Sequence, residues 1–293
     1  MRKAPKYYLL IIVCFLATGE FAFATKPLET LERCELVPTK WSDGDSFLIR
    51  TAEGEEYTLR LYGADCVEWH VTDDSDARRL RAQRRYFGIS EVGGSPQASI
   101  ETAKDFGAEA GRKMAALLGE PFTVHTAFSD ARGDGKYQRF YGFVTTSGGK
   151  DLAEELVRLG LARAFGVYRE TPTGMSGKEY RANLEDVELL AAKRGMGVWA
   201  KTNWDLLSEE RREERRDAEE LEIAIAKPKL EVGTKINPNT AARDQLMLLP
   251  GVGEVTANRI IEARPFGKLA DLLEVDGIGP KTLERLEIYL TLP

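Results

Sequence analysis

Cysteine and histidine are scarce in this chain, whose 293 residues include three cysteines and two histidines. Protein zinc centres take most of their ligands from these two residue types. Because His70 and His125 lie far apart in the sequence, the sequence does not indicate a zinc site. Cys34 and Cys66 follow the first 24 residues. In an oxidising compartment they could form one disulfide bond or remain two separate thiols.

A net positive charge is also lacking. The chain carries 41 lysines and arginines against 47 aspartates and glutamates, a net charge of -6. Loss of residues 1–24, which hold three basic residues and one acidic residue, would leave a net charge of -8. Domains that bind nucleic acid through their overall charge are basic. Any such binding here must therefore come from local clusters of basic residues.

The longest apolar run near the N-terminus, Tyr7–Thr18, is shorter than the roughly 20 residues that cross a bilayer. Basic residues precede it, and the small-residue exit Ala22-Phe23-Ala24 follows it. This order is typical of a secretory signal peptide over residues 1–24. We therefore expect a secreted or periplasmic protein without stable membrane association after cleavage, the alternative being an uncleaved anchor.

The rest of the chain is long enough for two folded units, and its 43% hydrophobic content can fill packed cores. Alternating runs within 31–69 predict strands, and helical spacing over 102–118, 152–161 and 179–194 predicts helices. Strands followed by mixed helices and strands indicate an α+β domain around a small barrel. The predicted segments are a signal peptide (1–24), a first domain (31–201), a charged helical linker (205–230) and a C-terminal domain (232–293).

The linker contains an unusual run of charge. Residues 208–222, SEERREERRDAEELE, are charged nearly all round a helix. Pairs such as Arg215–Glu219 would support the helix at i,i+4 spacing. A helix that is polar on every face is typical of a solvated spacer, which is the prediction for this segment.

Three short motifs in the first domain combine carboxylates with arginines. The first, Asp43-Gly44-Asp45-Ser46, is a turn that opens a strand. The second runs from Arg60 to Glu68 and places an arginine on a strand and two carboxylates on the loop that follows. The third runs from Asp134 to Arg139 and is a turn leading into another strand. Each is common alone, but the ordered set is a much stronger signal.

Together these residue types match the needs of phosphodiester hydrolysis. Asp45 and Asp65 are hard oxygen ligands suited to Ca²⁺, which polarises a phosphate oxygen and helps to position a water. Glu68 could orient or deprotonate that water. Arg60 and Arg139 could bind the same phosphate and neutralise the charge that grows in the transition state.

The three motifs resemble those of the staphylococcal nuclease family, as do Gly160-Leu161-Ala162 and Gly197-Val198-Trp199. The resemblance covers about residues 31–200. It implies a five-stranded OB-type β-barrel with three helices, a fold suited to nucleic-acid strands. It also implies cleavage of DNA or RNA at the bond to the 5′ oxygen, with 3′-phosphate products.

The resemblance further implies a role for each matching residue. The backbone carbonyl of Cys66 would join the two aspartates as a calcium ligand, and Tyr137 would lie near a bound base. The implied sites are calcium ligands Asp45, Asp65 and Cys66, catalytic residues Arg60, Glu68 and Arg139, and substrate contacts Lys136 and Tyr137.

The chain departs from the family pattern in the loop that carries Glu68. Val67 stands where the family usually has proline, which could loosen the loop, and Cys66 stands where it has threonine. An insertion over residues 70–104 follows. The insertion could grip substrate phosphates or brace the barrel through Leu80, Tyr86 and Phe87. Its basic residues, predicted as substrate contacts, are Arg78, Arg79, Arg81, Arg84 and Arg85.

The C-terminal region contains two copies of a Gly-x-Gly turn between helices. They are Gly251-Val252-Gly253 and Gly277-Ile278-Gly279. The glycines let backbone N–H groups approach a phosphate beside a helix N-terminus. The pair resembles a tandem helix-hairpin-helix domain, which implies an all-α fold and DNA binding through Gly251, Gly253, Gly277 and Gly279 without sequence readout. Tight turns for packing or protein docking are the alternative.

These patterns predict an exported Ca²⁺-dependent nuclease, with nucleic acid, DNA or RNA, as its partner. The C-terminal domain would act as a tether that raises the local concentration of a long substrate. Two alternatives remain at this stage. One is a DNA-binding or uptake protein whose barrel only binds, and the other is a protein-interaction module. The retained Arg60, Glu68 and Arg139 argue against the first, and the retained carboxylates argue against the second.

Overall fold

The computed structural model describes residues 26–131, 139–225 and 234–292. The predicted signal peptide and the predicted substrate contacts Lys136 and Tyr137 lie outside these ranges. Within the ranges, no helix is both long enough and apolar enough to cross a membrane.

Five strands close into a barrel in the first domain. Strands β1, β2, β3, β6 and β5 are hydrogen-bonded in that order, and β1 also pairs with β5. Strands β3 and β6 run parallel, and the other barrel pairs are antiparallel. The predicted α+β fold with an OB-type barrel is confirmed. The strands are β1 (Glu29–Val37), β2 (Ser46–Arg50), β3 (Glu56–Leu61), β4 (Ala64–Cys66), β5 (Phe122–Asp130), β6 (Arg139–Thr145) and β7 (Ala162–Ala164).

The apolar face of each strand fills the barrel and fixes its register. Phe47 lies opposite Leu59, and both are fully buried. Burial of such a side chain stabilises the fold by about 1.5–3 kcal/mol, so a slip of one residue would be costly. This register sets Ser46 opposite Arg60. The parallel pairing of β3 with β6 sets Arg139 opposite Thr58, which lies two residues before Arg60 on β3.

Four helices accompany the barrel, and one of them was not part of the fold that the resemblance implies. Helices α2, α3 and α4 match the predicted helices. Helix α2 begins earlier than predicted because Ser95 caps it and Pro96 starts it. Helix α1 is the additional one and lies in the insertion. The helices are α1 (Asp74–Phe87), α2 (Pro96–Leu117), α3 (Leu152–Arg158) and α4 (Gly177–Lys193).

Helix α1 braces the loop that carries Glu68. It begins after the capping side chain of Asp73 and ends at Gly88, whose φ of 66° favours glycine. Its Leu80 and Phe87 are buried in one hydrophobic cluster with Val67. The residue that replaces the family's proline is thus held by packing against the insertion.

The charged linker helix is not a solvated spacer, contrary to the sequence-based prediction. It forms α5 (Leu207–Ile225), which lies along α1. Arg85 Nη1 lies 2.9 Å from Glu214 Oε2 and 2.7 Å from Asp217 Oδ2. The guanidinium of Arg211 stacks 4.4 Å from the centre of the Tyr86 ring. The charges of this helix have partners on α1, which intrahelical spacing does not reveal.

The C-terminal unit is a small all-α domain, as predicted. Its core contains the fully buried Leu246, Leu272 and Leu286. A backbone bridge between Ile236 and Leu290 brings its two ends together. Its elements are α6 (Arg243–Leu246), α7 (Glu254–Glu262), a 3₁₀ helix (Leu269–Glu274) and α8 (Pro280–Glu287).

A carboxylate on α7 joins this unit to the first domain. Glu262 Oε1 accepts a hydrogen bond of 3.0 Å from the backbone N–H of Tyr168. Its other oxygen lies 3.2 Å from Nη2 of Arg181. The same helix begins beside the first Gly-x-Gly turn, so these contacts set where that turn lies relative to the barrel.

Candidate active site and nucleic-acid interface

The turn before β2 presents Asp45 to the interior of the site. Asp43 Oδ1 accepts hydrogen bonds from the backbone N–H groups of Asp45 and Ser46, at 3.1 and 2.6 Å. Gly44 allows the turn to lie against its neighbours, because a Cβ there would come within 2.8 Å of the side chains of Cys66 and Ala110. Asp45 is 2% exposed, so its charge needs a partner.

Arg60 on β3 supplies that partner. Its Nη1 lies 3.4 Å from Asp45 Oδ1, and its Nη2 lies 2.9 Å from Asp65 Oδ1. Burial lowers the pKa of the guanidinium, but the two carboxylates outweigh burial and hold the pKa well above its usual value. Arg60 is therefore a fixed positive charge between two acidic side chains.

Asp65 has a second arginine partner that the sequence did not reveal. Strands β4 and β7 place Arg163 directly opposite Asp65, and its Nε donates to Asp65 Oδ2 at 2.8 Å. Burial opposes ionisation of Asp65, yet Arg163 and Arg60 lower its pKa to about 2. Asp65 is thus ionised at neutral pH.

A second missed residue is Gln83 of α1, which is fully buried. Its Nε2 donates to Asp65 Oδ2 at 2.9 Å and to the Cys66 carbonyl at 2.8 Å. Its Oε1 accepts from the backbone N–H of Glu68 at 2.8 Å. One side chain therefore fixes three positions of the loop. The sequence holds one signal for this role, which is that Gln83 is a polar residue on the face of α1 that also carries the buried Asp76, Leu80 and Phe87.

Glu68 lies at the edge of this cluster with its side chain 12% exposed. Its Oε1 is 3.3 Å from Nη1 of Arg79. Burial raises the pKa of Glu68, Arg79 lowers it, and Asp45 and Asp65 raise it further, with a net value of about 7. A carboxylate with a pKa near neutrality is suited to exchange a proton with a water.

Arg139 at the start of β6 completes the group. Its Nη1 donates to Ser46 Oγ at 2.9 Å, and Ser46 Oγ donates to Asp45 Oδ1 at 2.8 Å. Asp45, Arg60, Asp65 and Arg139 are therefore connected through short contacts. The fifth predicted charged position, Glu68, is linked to Asp65 through Gln83. Arginines beside carboxylates can neutralise a phosphate while the carboxylates serve a metal or a water.

The predicted calcium ligands fit a hard cation by their chemistry. They offer two carboxylates and a backbone carbonyl, the donor types that Ca²⁺ prefers. Burial and the charges of Asp45 and Glu68 raise the pKa of Asp43 well above its usual range, so added positive charge would stabilise this acidic group. Among the residues described, no three acidic, cysteine or histidine side chains are grouped as a ready-made cage. Arg60 provides the positive charge between Asp45 and Asp65.

The five insertion arginines, all predicted as substrate contacts, divide into different roles. Arg78 and Arg81 are exposed, and Arg79 pairs with Glu68. Arg84 and Arg85 have partners within the protein, and their contact with substrate stays a prediction. Arg84 Nε donates to Ser99 Oγ at 2.7 Å, and Arg85 is paired with α5. Both hold the insertion in place because their guanidinium groups are committed to neighbouring elements.

Cys34 and Cys66 are both free and buried. The disulfide alternative is therefore not formed. Burial raises the pKa of the Cys34 thiol to about 11, which keeps this thiol protonated and unreactive at neutral pH.

The two Gly-x-Gly turns have the geometry that the sequence predicts. Gly251 and Gly277 have φ values of 81° and 99°, a region that glycine adopts without strain. Gly253 and Gly279 are the residues before α7 and α8, and neither helix start has a side-chain cap. The first backbone N–H groups of a helix without such a cap are available to an anion.

Comparison with known families agrees with this geometry. Residues 58–201 match the staphylococcal nuclease homologue family, and residues 231–291 match the helix-hairpin-helix motif family. No curated protein matches the chain at a significant level. The chain therefore carries a staphylococcal nuclease homologue domain followed by a helix-hairpin-helix domain, in the order that the sequence predicted. Both domain types belong to nuclease-like, nucleic-acid-binding proteins.

Proposed function

We propose that this protein is a Ca²⁺-dependent nuclease that hydrolyses phosphodiester bonds in DNA or RNA. The observation that carries the proposal is the position of Glu68, a half-buried carboxylate 3.3 Å from Arg79 whose pKa is raised to about 7 by burial and by the charges of Asp45 and Asp65. A binding-only barrel has no need for a half-ionised acid at this position. The carboxylate is costly to bury, and catalysis gives it a role.

Each residue of the group has a chemical task in this proposal. Glu68 takes a proton from the attacking water, and Arg79 keeps its carboxylate oriented through the 3.3 Å contact. Arg60 and Arg139 stabilise the charge on the phosphate in the transition state. Asp45, Asp65 and the Cys66 carbonyl would hold Ca²⁺, which would polarise a phosphate oxygen.

We further propose that the protein is exported to the periplasm or the medium. The support is the basic start, short apolar run and small-residue exit of residues 1–24. An N-terminal sequence of the protein recovered from the cell envelope or medium that begins near Thr25 would support this proposal. A protein that keeps residues 1–24 would contradict it.

The catalytic proposal is tested by cleavage of duplex DNA, single-stranded DNA and RNA, with added Ca²⁺ and with a calcium chelator. We expect cleavage only with Ca²⁺. Arg139→Ala should reduce the rate by about 10²–10³-fold, because it removes one preorganised donor to the phosphate. Arg50→Ala is the matched control, since Arg50 is an exposed arginine at the end of β2, paired with Glu56.

Three outcomes would contradict the proposal in different ways. Cleavage that persists in the chelator would exclude the calcium requirement. Equal activity of Arg139→Ala and Arg50→Ala would exclude the assigned site. Binding of nucleic acid with no cleavage under any of these conditions would instead support a binding-only barrel.

A further inference from the structure

The first Gly-x-Gly turn and the insertion helix face one another across a cleft of about 360 Å³. Arg78 and Arg81 of α1 line one side, and the turn from Gly251 to Gly253 lines the other. Arg139 also lines this cleft. The C-terminal unit therefore contributes a wall to a space that contains a residue of the candidate active site.

The charges of this cleft favour an anion. Among the described residues, five arginines line it against three acidic residues. Arg79 pairs with Glu68, Arg243 with Glu254 and, at 3.9 Å, Arg81 with Glu214. Arg78 and Arg81 are exposed. Their guanidinium groups are therefore accessible to a phosphate.

The start of α7 adds backbone donors to the same cleft. This nine-residue helix begins after Gly253 without a side-chain cap. Arg243, which is 9% exposed, lines the cleft beside it. Its Nε has no hydrogen-bond partner among the residues described and lies 3.6 Å from the nearest carboxylate oxygen, on Asp244. Arg243 therefore adds a positive charge, paired with Glu254, beside the start of α7.

The second turn has a different environment. Its Asp276 is held by Arg259, whose Nη1 donates to the Asp276 carbonyl at 3.0 Å. None of the residues from Val275 to Gly279 lines the cleft. The two copies of the motif are therefore not equivalent, because the first one alone faces the catalytic group.

We propose that this cleft binds a single strand of nucleic acid and guides it to Arg139, with Arg78, Arg81 and the start of α7 holding its phosphates. The inference rests on the proposed nuclease function and assigns the form of its substrate. A volume of about 360 Å³ lies at the small end of ligand sites, which span about 300–1,000 Å³. A space of this size favours a single strand over a duplex as the occupant.

The binding test uses the full chain in calcium chelator with a labelled single strand of about 12 nucleotides, a length within the range of known single-strand sites. Gly253→Asp is the principal variant. An N-cap aspartate accepts hydrogen bonds from the first N–H groups of its helix, so it should occupy the proposed phosphate donors and weaken binding by about tenfold. Gly279→Asp makes the same change at the start of α8, outside the cleft, and compares the two hairpins. Gly148→Asp is the matched control, because it adds the same charge to an exposed turn that does not line the cleft.

The double variant Arg78→Ala with Arg81→Ala keeps the proposal testable if Gly253→Asp does not fold. It should weaken binding and reduce the slope of log affinity against log salt by about 0.7 for each phosphate that is no longer neutralised. Equal affinities for the Gly253→Asp and Gly279→Asp variants, or an unchanged salt slope, would overturn the proposal.

Cleavage assays separate this inference from the proposed function. With Ca²⁺, Gly253→Asp should raise KM for the single strand and leave kcat nearly unchanged, because uniform binding is weakened. Faster cleavage by Gly253→Asp would show that the hairpin blocks the site, and it would overturn the guiding role. If the variants weaken binding but the unchanged protein cleaves no nucleic acid, the proposal for the cleft would stand and the proposed nuclease function would be wrong.

Discussion

The buried group around Asp65 and the cleft at the first hairpin use arginine in opposite ways. In the buried group, Arg60 and Arg163 are nearly inaccessible and bonded to Asp65 at 2.9 and 2.8 Å. In the cleft, Arg78 and Arg81 are exposed. Fixed charges stabilise a transition state without having to move during the reaction. Exposed charges instead contribute to the affinity for a substrate that contacts them. Changes to the group should therefore lower kcat, and changes to the cleft should raise KM.

The largest effect should come from Glu68→Gln, which removes the proposed base and keeps the side-chain shape. We expect kcat to fall by about 10²–10⁴-fold, the usual contribution of a general base. In the unchanged protein, kcat should fall as the pH drops through about 7, because Glu68 then takes up a proton. A pH profile of kcat for both proteins checks this, and unchanged activity in Glu68→Gln would remove the residue from the mechanism.

The same variant should gain stability, which distinguishes a chemical defect from a folding defect. Folding raises the pKa of Glu68 from about 4.5 to about 7. The ionised carboxylate therefore lowers the free energy of unfolding as the pH rises above about 4.5, and the full loss is reached above about 7. Without calcium, Glu68→Gln should be more stable than the unchanged chain at pH 8, by at most about 3 kcal/mol. The difference should vanish near pH 4, and thermal melts at both pH values measure it.

A smaller effect is expected from Gln83→Leu, which removes all three hydrogen bonds to the loop and preserves side-chain volume. Residues that orient ligands of an active site contribute about 10–100-fold to activity. The decrease should appear in kcat, with KM for a single strand nearly constant, because the cleft is unaffected. Gln97→Leu, on the exposed side of α2, is the control for the removal of a glutamine.

A partial variant tests how Gln83 acts. Gln83→Glu retains an acceptor for the Glu68 N–H but loses the donor to Asp65 and to the Cys66 carbonyl. If Gln83 positions Asp65, kcat of the Glu variant should remain low, and the added negative charge should move the pH profile to higher pH. Full activity in both variants would leave Gln83 with a packing role only.

Much of the fold and of the charged group followed from the sequence because both depend on local signals. Alternation predicts the strands, the family resemblance implies the OB-type barrel, and the motifs around Asp45 and Arg60 name residues that the structure brings together. Gln83 and Arg163 were not found, since their roles depend on how α1 packs and how β4 pairs with β7. The prediction that the charged linker helix is a solvated spacer was wrong for the same reason. Arg85, which pairs with α5, lies more than 100 residues away from it in sequence.

The smallest predicted effects compare Arg81 with Arg85, one turn apart on α1. Arg85 is paired with Glu214 and Asp217, and these groups are only partly exposed. Arg85→Ala should lower stability by about 1 kcal/mol, which is a fall in Tm of about 2–4 °C. Its KM for a single strand should stay within about twofold, because its guanidinium is committed to α5 and not to substrate.

Arg81→Ala should show the reverse pattern, with an unchanged Tm and a KM raised about two- to fivefold, because an exposed guanidinium near a phosphate contributes to binding and little to folding. Thermal melts and single-strand kinetics on both variants decide between the two roles. A rise in KM for Arg85→Ala without a change in Tm would return Arg85 to the substrate contacts. Equal behaviour of the two variants would mean that Arg81 and Arg85 have the same role, and the contrast between them would have to be abandoned.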